Sequence, residues 1–200
     1  MKSWVVAAII IVGGLGVIIG VSAALANDDN TGQTVSADEW ANDVCGSIGA
    51  WRGQLEAIRD EVDQSNYAAR RNDGGSGDSV ERTINARVAV DRAIQATNDT
   101  LREGLKRAGI PEGTGGQAVA LALRAWALNT ERDLRVAKGI LKQNPGSTAA
   151  AYAALTAASR SLQQSLVTGR VVFLQAAGAG GLADAFTGSD NCQALREDES

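Results

Sequence analysis

The sequence predicts an all-α protein: an antiparallel up-down-up-down four-helix bundle preceded by a membrane-entering N-terminal segment. Three observations predict it. Hydrophobic residues make up 44% of the 200-residue chain but aromatic residues only 4%; alanine dominates, which favours helices packed through small side chains over a sheet rich in Val, Ile, Thr and aromatics. Four stretches carry apolar residues at spacings of three and four, the period of a helix with one buried face. Short runs of Gly, Pro, Asn and Asp separate these stretches, so each helix is expected to reverse direction relative to the one before it.

Residues 1–26 come first. No charge falls between Val5 and Ala26, and at about 1.5 Å per residue a helix of that length crosses a hydrocarbon core of about 30 Å. Two fates are open. Ala24-Leu25-Ala26 is a small-x-small site at which an export signal would be cut after Ala26. Retained, the segment is a transmembrane anchor, with Gly16 and Gly20 on one helix face where another spanning helix could approach closely. In both cases Lys2 and the amino terminus keep that end in the cytoplasm and put residues 27–200 on the far side of the plasma membrane. No lipobox precedes Cys45, so a lipoprotein is excluded.

Residues 27–35 read as a polar linker, and residues 36–195 as the bundle with a tail pinned by a disulfide. Ser36 and Glu39 form a capping box and Val35 with Trp40 a hydrophobic staple, so helix one starts there. Its stripe is Trp40, Val44, Ile48, Trp51, Leu55, Ile58 and Val62. Residues 72–79 break the pattern, and Asp78 with Glu81 offers the next cap. Helix two carries Val80, Ile84, Val88, Ile94, Leu101 and Leu105 and stops at Gly109-Ile110-Pro111. A third helix runs from about Gln117 to Gln143 with Val119, Leu123, Trp126, Leu134, Ala137 and Leu141 as its stripe, ended by Asn144-Pro145-Gly146. A fourth runs from about Ser147 to Ala177 through Tyr152, Leu155, Ala158, Leu162, Leu166, Phe173 and Ala176, with Gly169 a point where it could kink. A glycine-rich return with at most one helical turn near Leu182 to Phe186 follows, and residues 196–200 are a solvated acidic tail.

The chain holds two cysteines, Cys45 and Cys192. Export places both where disulfides persist, and two cysteines allow one internal pairing. In an antiparallel bundle of four helices the start of the first and the end of the last lie at the same end, within reach of a returning tail. A Cys45–Cys192 disulfide is therefore expected; a free Cys45 with an intermolecular Cys192 is the alternative.

Function classes fall away on composition. The formal charge is −4 and charges of both signs are interleaved, so no basic face is offered to nucleic acid or anionic lipid. The chain has no histidine, the commonest general base and metal ligand, and no nucleophile elbow. Asp60, Glu61 and Asp63 are close in sequence but diverge around a helix. The Gly113-Thr114-Gly115-Gly116 run lacks the lysine and preceding strand of a phosphate loop. No catalytic, cofactor-binding or metal residue is assigned, and no cofactor is expected. Arg87 and Asp91, four apart beside the stripe of helix two, read as a buried polar pair or a flanking surface pair.

The layout of leader, polar linker, Trp40-x-x-x-Val44-Cys45 with Trp51 six residues on, alanine-rich helices and a late cysteine resembles a group of uncharacterised exported or membrane-anchored helical proteins of actinobacteria. The resemblance implies a cell-envelope location and supplies no activity. The expected role is a non-enzymatic extracytoplasmic bundle acting through contacts with an envelope protein or surface component, attached to the membrane through residues 5–26 if uncleaved. A ligand-binding or sensory bundle, with Trp51, Trp126 or Arg87 lining the site, is the alternative; a hydrolase or transferase ranks third.

Overall fold

The computed structural model of the chain describes residues 33–70, 76–143, 147–179 and 181–197, all within one compact unit. The apolar segment with Gly16 and Gly20, most of the 27–35 linker and residues 198–200 of the acidic tail lie outside the described residues. Of the described residues 87% are helical, so the protein is all-α.

A two-residue strand β1 (Thr34–Val35) leads into α1 (Ala37–Arg70). The amide of Glu39 donates to Ser36 Oγ at 3.3 Å, the N-cap bond that satisfies one of the free donors of the first turn. The whole stripe from Trp40 to Val62 is buried. The second rod is α2 (Ser76–Ala96), a π turn (Thr97–Arg102) and α3 (Glu103–Arg107), followed by β2 (Ile110–Pro111). Helix α4 (Gly116–Leu141) buries its expected stripe together with Thr130 and Glu131. Helix α5 (Thr148–Ala177) starts where Ser147 Oγ accepts from the amide of Ala150.

Helix α1 packs against α2 and α5, α4 packs against α5 and α2, and α2 meets α5. Numbers rise on one helix as they fall on its neighbour: a Cβ on Gly104 would meet Ser47 while Arg92 pairs with Glu61. Likewise Arg59 donates to Gln163 and Thr156 to Asn66. Among the described residues no helix is long and apolar enough to cross a membrane.

Three expectations need correction. On α2, Ile84 and Val88 are 44% and 51% exposed, and the buried face is Ala86, Ala89, Val90, Ala93, Ile94 and Ala96; the rod approaches its neighbours through alanine. The end of the polar linker is docked, because β1 pairs in parallel with β2, Thr34 opposite Ile110 and Val35 opposite Pro111. Here the amide of Ile110 donates to Gln33 O and that of Glu112 to Val35 O. Gly109 makes this possible: its φ is +77°, and a Cβ there would stand 2.4 Å from Gln33 O, which only glycine avoids. The C-terminal return is two helices, α6 (Ala183–Gly188) and α7 (Asp190–Glu197), so Arg196 and Glu197 end a helix. Leu182, Ala185, Phe186, Cys192 and Leu195 are all buried, and Ser189 Oγ accepts from the amide of Cys192.

Candidate functional site

Three constellations concentrate the chain's polar and aromatic chemistry. The first is an aromatic node between α1, the π turn, α4 and α5. Trp51 and Trp126 meet edge to face, ring centroids 5.3 Å apart and planes at 90°, the arrangement that ring quadrupoles favour. Trp51 Nε1 donates to Thr97 Oγ1 at 3.1 Å, and Thr97 Oγ1 donates to Ala93 O at 2.8 Å, so the π turn holds a threonine where the indole needs an acceptor. Gly169 faces both rings: a Cβ there would lie 2.9 Å from Trp126 Cζ2 and 3.2 Å from Trp51 Cζ3. Trp126 Nε1 is buried without a hydrogen-bond partner.

Beside the node, Ile48, Trp51, Leu166, Gly169, Phe173 and Leu195 line a cleft that Arg52 and Arg170 also border. It holds about 20 Å³, room for about one water and far below the roughly 300 Å³ at which small-molecule pockets begin. Arg87, grouped with the two tryptophans as a candidate lining residue, does not border it.

The second constellation surrounds Glu131, whose side chain on α4 is 12% exposed. Arg102 Nη1, from the π turn, donates to Glu131 Oε2 at 2.7 Å and to Asn98 Oδ1 at 2.7 Å. Arg135 Nη2 donates to Glu131 Oε1 at 2.6 Å. Burial pushes the Glu131 carboxyl up, but the Arg135 hydrogen bond and the charges of Arg102 and Arg135 outweigh it and hold the carboxyl below its ordinary value. A carboxylate with both oxygens engaged by guanidinium groups ties α4 to the π turn and is a poor proton acceptor.

The third is the join between α1 and the C-terminal helices. Cys45 and Cys192 are bonded, their Cα atoms 5.0 Å apart across 147 positions, and both side chains are fully buried. Asn191 Nδ2 donates to Asn42 O at 3.1 Å and Ser189 Oγ to Asn42 Oδ1 at 3.2 Å. Phe186 stacks edge-on to Trp40 and to Phe173.

The proposed Arg87–Asp91 buried pair is not formed. Both residues are half-buried, and Asp91 is ion-paired to Lys138 on α4, because the interhelix partner approaches the carboxylate from the side that α2 turns toward α4. Asp60 and Asp63 share Arg59, Asp63 also accepts from Ser159, and Glu61 pairs with Arg92, so the three carboxylates do not converge on one site. Among the described residues no group of three or more His, Cys, Asp or Glu could hold a metal ion. Sequence reasoning missed Glu131, Thr97 and the docked linker; the faint signal for the first was Glu131-x-x-x-Arg135 on a helix, and the others had none. The chain matches no protein-family model, no curated protein and no solved structure.

Proposed function

We propose that this protein is a non-enzymatic, extracytoplasmic helical module of the cell envelope, an up-down-up-down four-helix bundle that acts through surface contacts. The observation that carries the reading is the pairing of the chain's two cysteines across 147 positions in a sequence whose residues 5–26 hold no charge. A buried disulfide persists in oxidising compartments, and an uncharged stretch of that length enters a membrane. The opposite helix senses of the α1–α2, α2–α4 and α1–α5 pairs support the bundle topology. The doubly paired Glu131, a carboxylate that ties α4 to the π turn, supports a structural role for the most buried acid among the described residues.

The N-terminus lies in the cytoplasm, and residues 27–200 lie outside it, either anchored in the plasma membrane or released after Ala26. Alkaline phosphatase fused after Ser200 tests this, because that reporter needs an oxidising compartment. An active fusion is expected, in the membrane fraction for the anchored form and in the medium for the cleaved one. A stable but inactive fusion overturns the reading.

A further inference from the structure

We propose that the chain's own residues 198–200 dock across the cleft between α1 and α5, with Asp198 and Glu199 on Arg52 and Arg170. The register of α7 carries the proposal. Ser189 and Asn191 donate to Asn42, Cys192 is bonded to Cys45, and Leu195 Cδ2 stands 3.4 Å from where a Cβ on Gly49 would be. Numbers therefore rise together on α1 and α7, at about the offset of 147 that the disulfide sets, and Asp198 and Glu199 fall level with Trp51 and Arg52. Helix α5 runs the other way: Arg59 donates to Gln163 and Thr156 to Asn66, which brings Arg170 level with Arg52. Arg52, Arg170 and Leu195 all border the cleft, as that alignment requires.

Charge fits the same placement. Two guanidinium groups bordering one cleft repel each other unless carboxylates share the space. Arg52 is bonded through Nε to Glu56, one turn on along α1. Helix α5 carries no carboxylate at all, so an acid that serves Arg170 comes from another segment, and the tail brings two at its level. A guanidinium serves several acceptors at once, as Arg102 does with Asn98 and Glu131. The tail acids therefore add to the partners these arginines have and displace none of them.

The tail reaches. Glu199 is four residues past Leu195, about 6 Å along the rods if the helical rise continues and at most about 14 Å if the chain extends. A tail from a second copy is disfavoured, because α7 of the same chain already lies along α1 as far as Glu197 and delivers its own acids without any cost of association. Docked there, the tail covers the apolar floor that Trp51 and Phe173 give the cleft and fastens the far end of α7, five residues beyond the disulfide. It is a latch on the C-terminal helix and a cover for the cleft.

The test treats the full chain carrying Arg170→Lys or Arg52→Lys with a water-soluble carbodiimide, which joins an amine to a carboxylate only where the two touch. Digestion and tandem mass spectrometry then locate the joined residues. Lys138 and Asp91, paired in the fold, are the control in every sample. Position 170 is expected to join Asp198 or Glu199 within monomers, and position 52 to join the same two acids as well as Glu56. Should Arg170→Lys unfold, position 52 decides, and a link to Glu56 alone overturns the proposal. The Asp198→Asn/Glu199→Gln variant, altered only beyond the last helix, should keep the parent's thermal unfolding while amide exchange across 190–197 quickens about two- to fivefold, the worth of an exposed ion pair. A Lys138–Asp91 link without any link from position 170 to the tail overturns the proposal, as does unchanged exchange in 190–197. Tail links found only in dimers mean that the cleft takes a second copy's tail, and overturn the docking within one chain.

Discussion

At the scale of residues, Gly169 inverts its usual meaning. A helix-interior glycine costs about 1 kcal/mol relative to alanine, yet here the missing Cβ is the space that Trp51 and Trp126 occupy. Gly169→Ala should therefore destabilise by about 1–2 kcal/mol, overpacking outweighing the propensity gain; a stabilised variant in urea titration would show that the rings have room to move. The two tryptophans differ in their polar ends. Trp51 Nε1 is bonded to Thr97 and Trp126 Nε1 is buried without a partner, so Trp51→Phe should cost about 1–2 kcal/mol more than Trp126→Phe. Glu131 showed in sequence only as one half of Glu131-x-x-x-Arg135, because its other partner, Arg102, comes from a separate chain segment, whereas Arg87 and Asp91 were conspicuous by spacing and Asp91 paired instead with Lys138. The Glu131 carboxyl titrates lower in the folded than in the unfolded chain, so its contribution is present above about pH 4.5 and is lost as pH falls through its folded value. Glu131→Gln should cost about 1–2 kcal/mol at neutral pH, discounted for the exposure of Arg102 and Arg135, and should flatten the acid limb of the stability profile measured by denaturant titration.

At the scale of elements, legibility followed side-chain size. Helices α1 and α4 bury large residues at helical spacing, so their faces and their starts could be read from periodicity. On α2 the rule "large apolar inward" failed in part, because the buried face is mostly alanine, Ala86, Ala89, Ala93 and Ala96 beside Val90 and Ile94, leaving Ile84 and Val88 outside. Ala89 and Ala93 are fully buried, and replacing either by leucine should cost about 1–3 kcal/mol through overpacking. Ile84→Ser should stay within about 0.5 kcal/mol of the parent, and chemical denaturation separates the two outcomes. The π turn was unreadable for a related reason: nothing in TNDTLR announces it, and its register is set by what Thr97 and Arg102 must reach on α1 and α4. Helices α6 and α7 were hidden by glycine-rich surroundings, although Ser189-Asp190 is an ordinary helix start.

At the scale of the whole molecule, the Cys45–Cys192 link joins the two chain regions furthest apart in sequence within the folded unit. Count and compartment pointed to it; the means of docking, two short helices stacked on Trp40 through Phe186, did not show in the sequence. Closing a loop of 147 positions removes unfolded-state entropy worth about 5 kcal/mol in the chain-entropy model. The native contacts around it are local: Asn42 receives Ser189 and Asn191, and Leu195 sits 3.4 Å from where a Cβ on Gly49 would be. A Cys45→Ser/Cys192→Ser variant should thus keep its four long rods but lose a few kcal/mol of stability. Amide exchange should quicken first in α6 and α7, which have the least apolar area of their own to hold them. The parent protein should be a monomer about 2 Da lighter than its reduced form, and parent and variant compared by hydrogen exchange decide the rest. Equal exchange in α7 with unchanged stability would mean that packing alone holds the tail and that the bond is incidental to the fold.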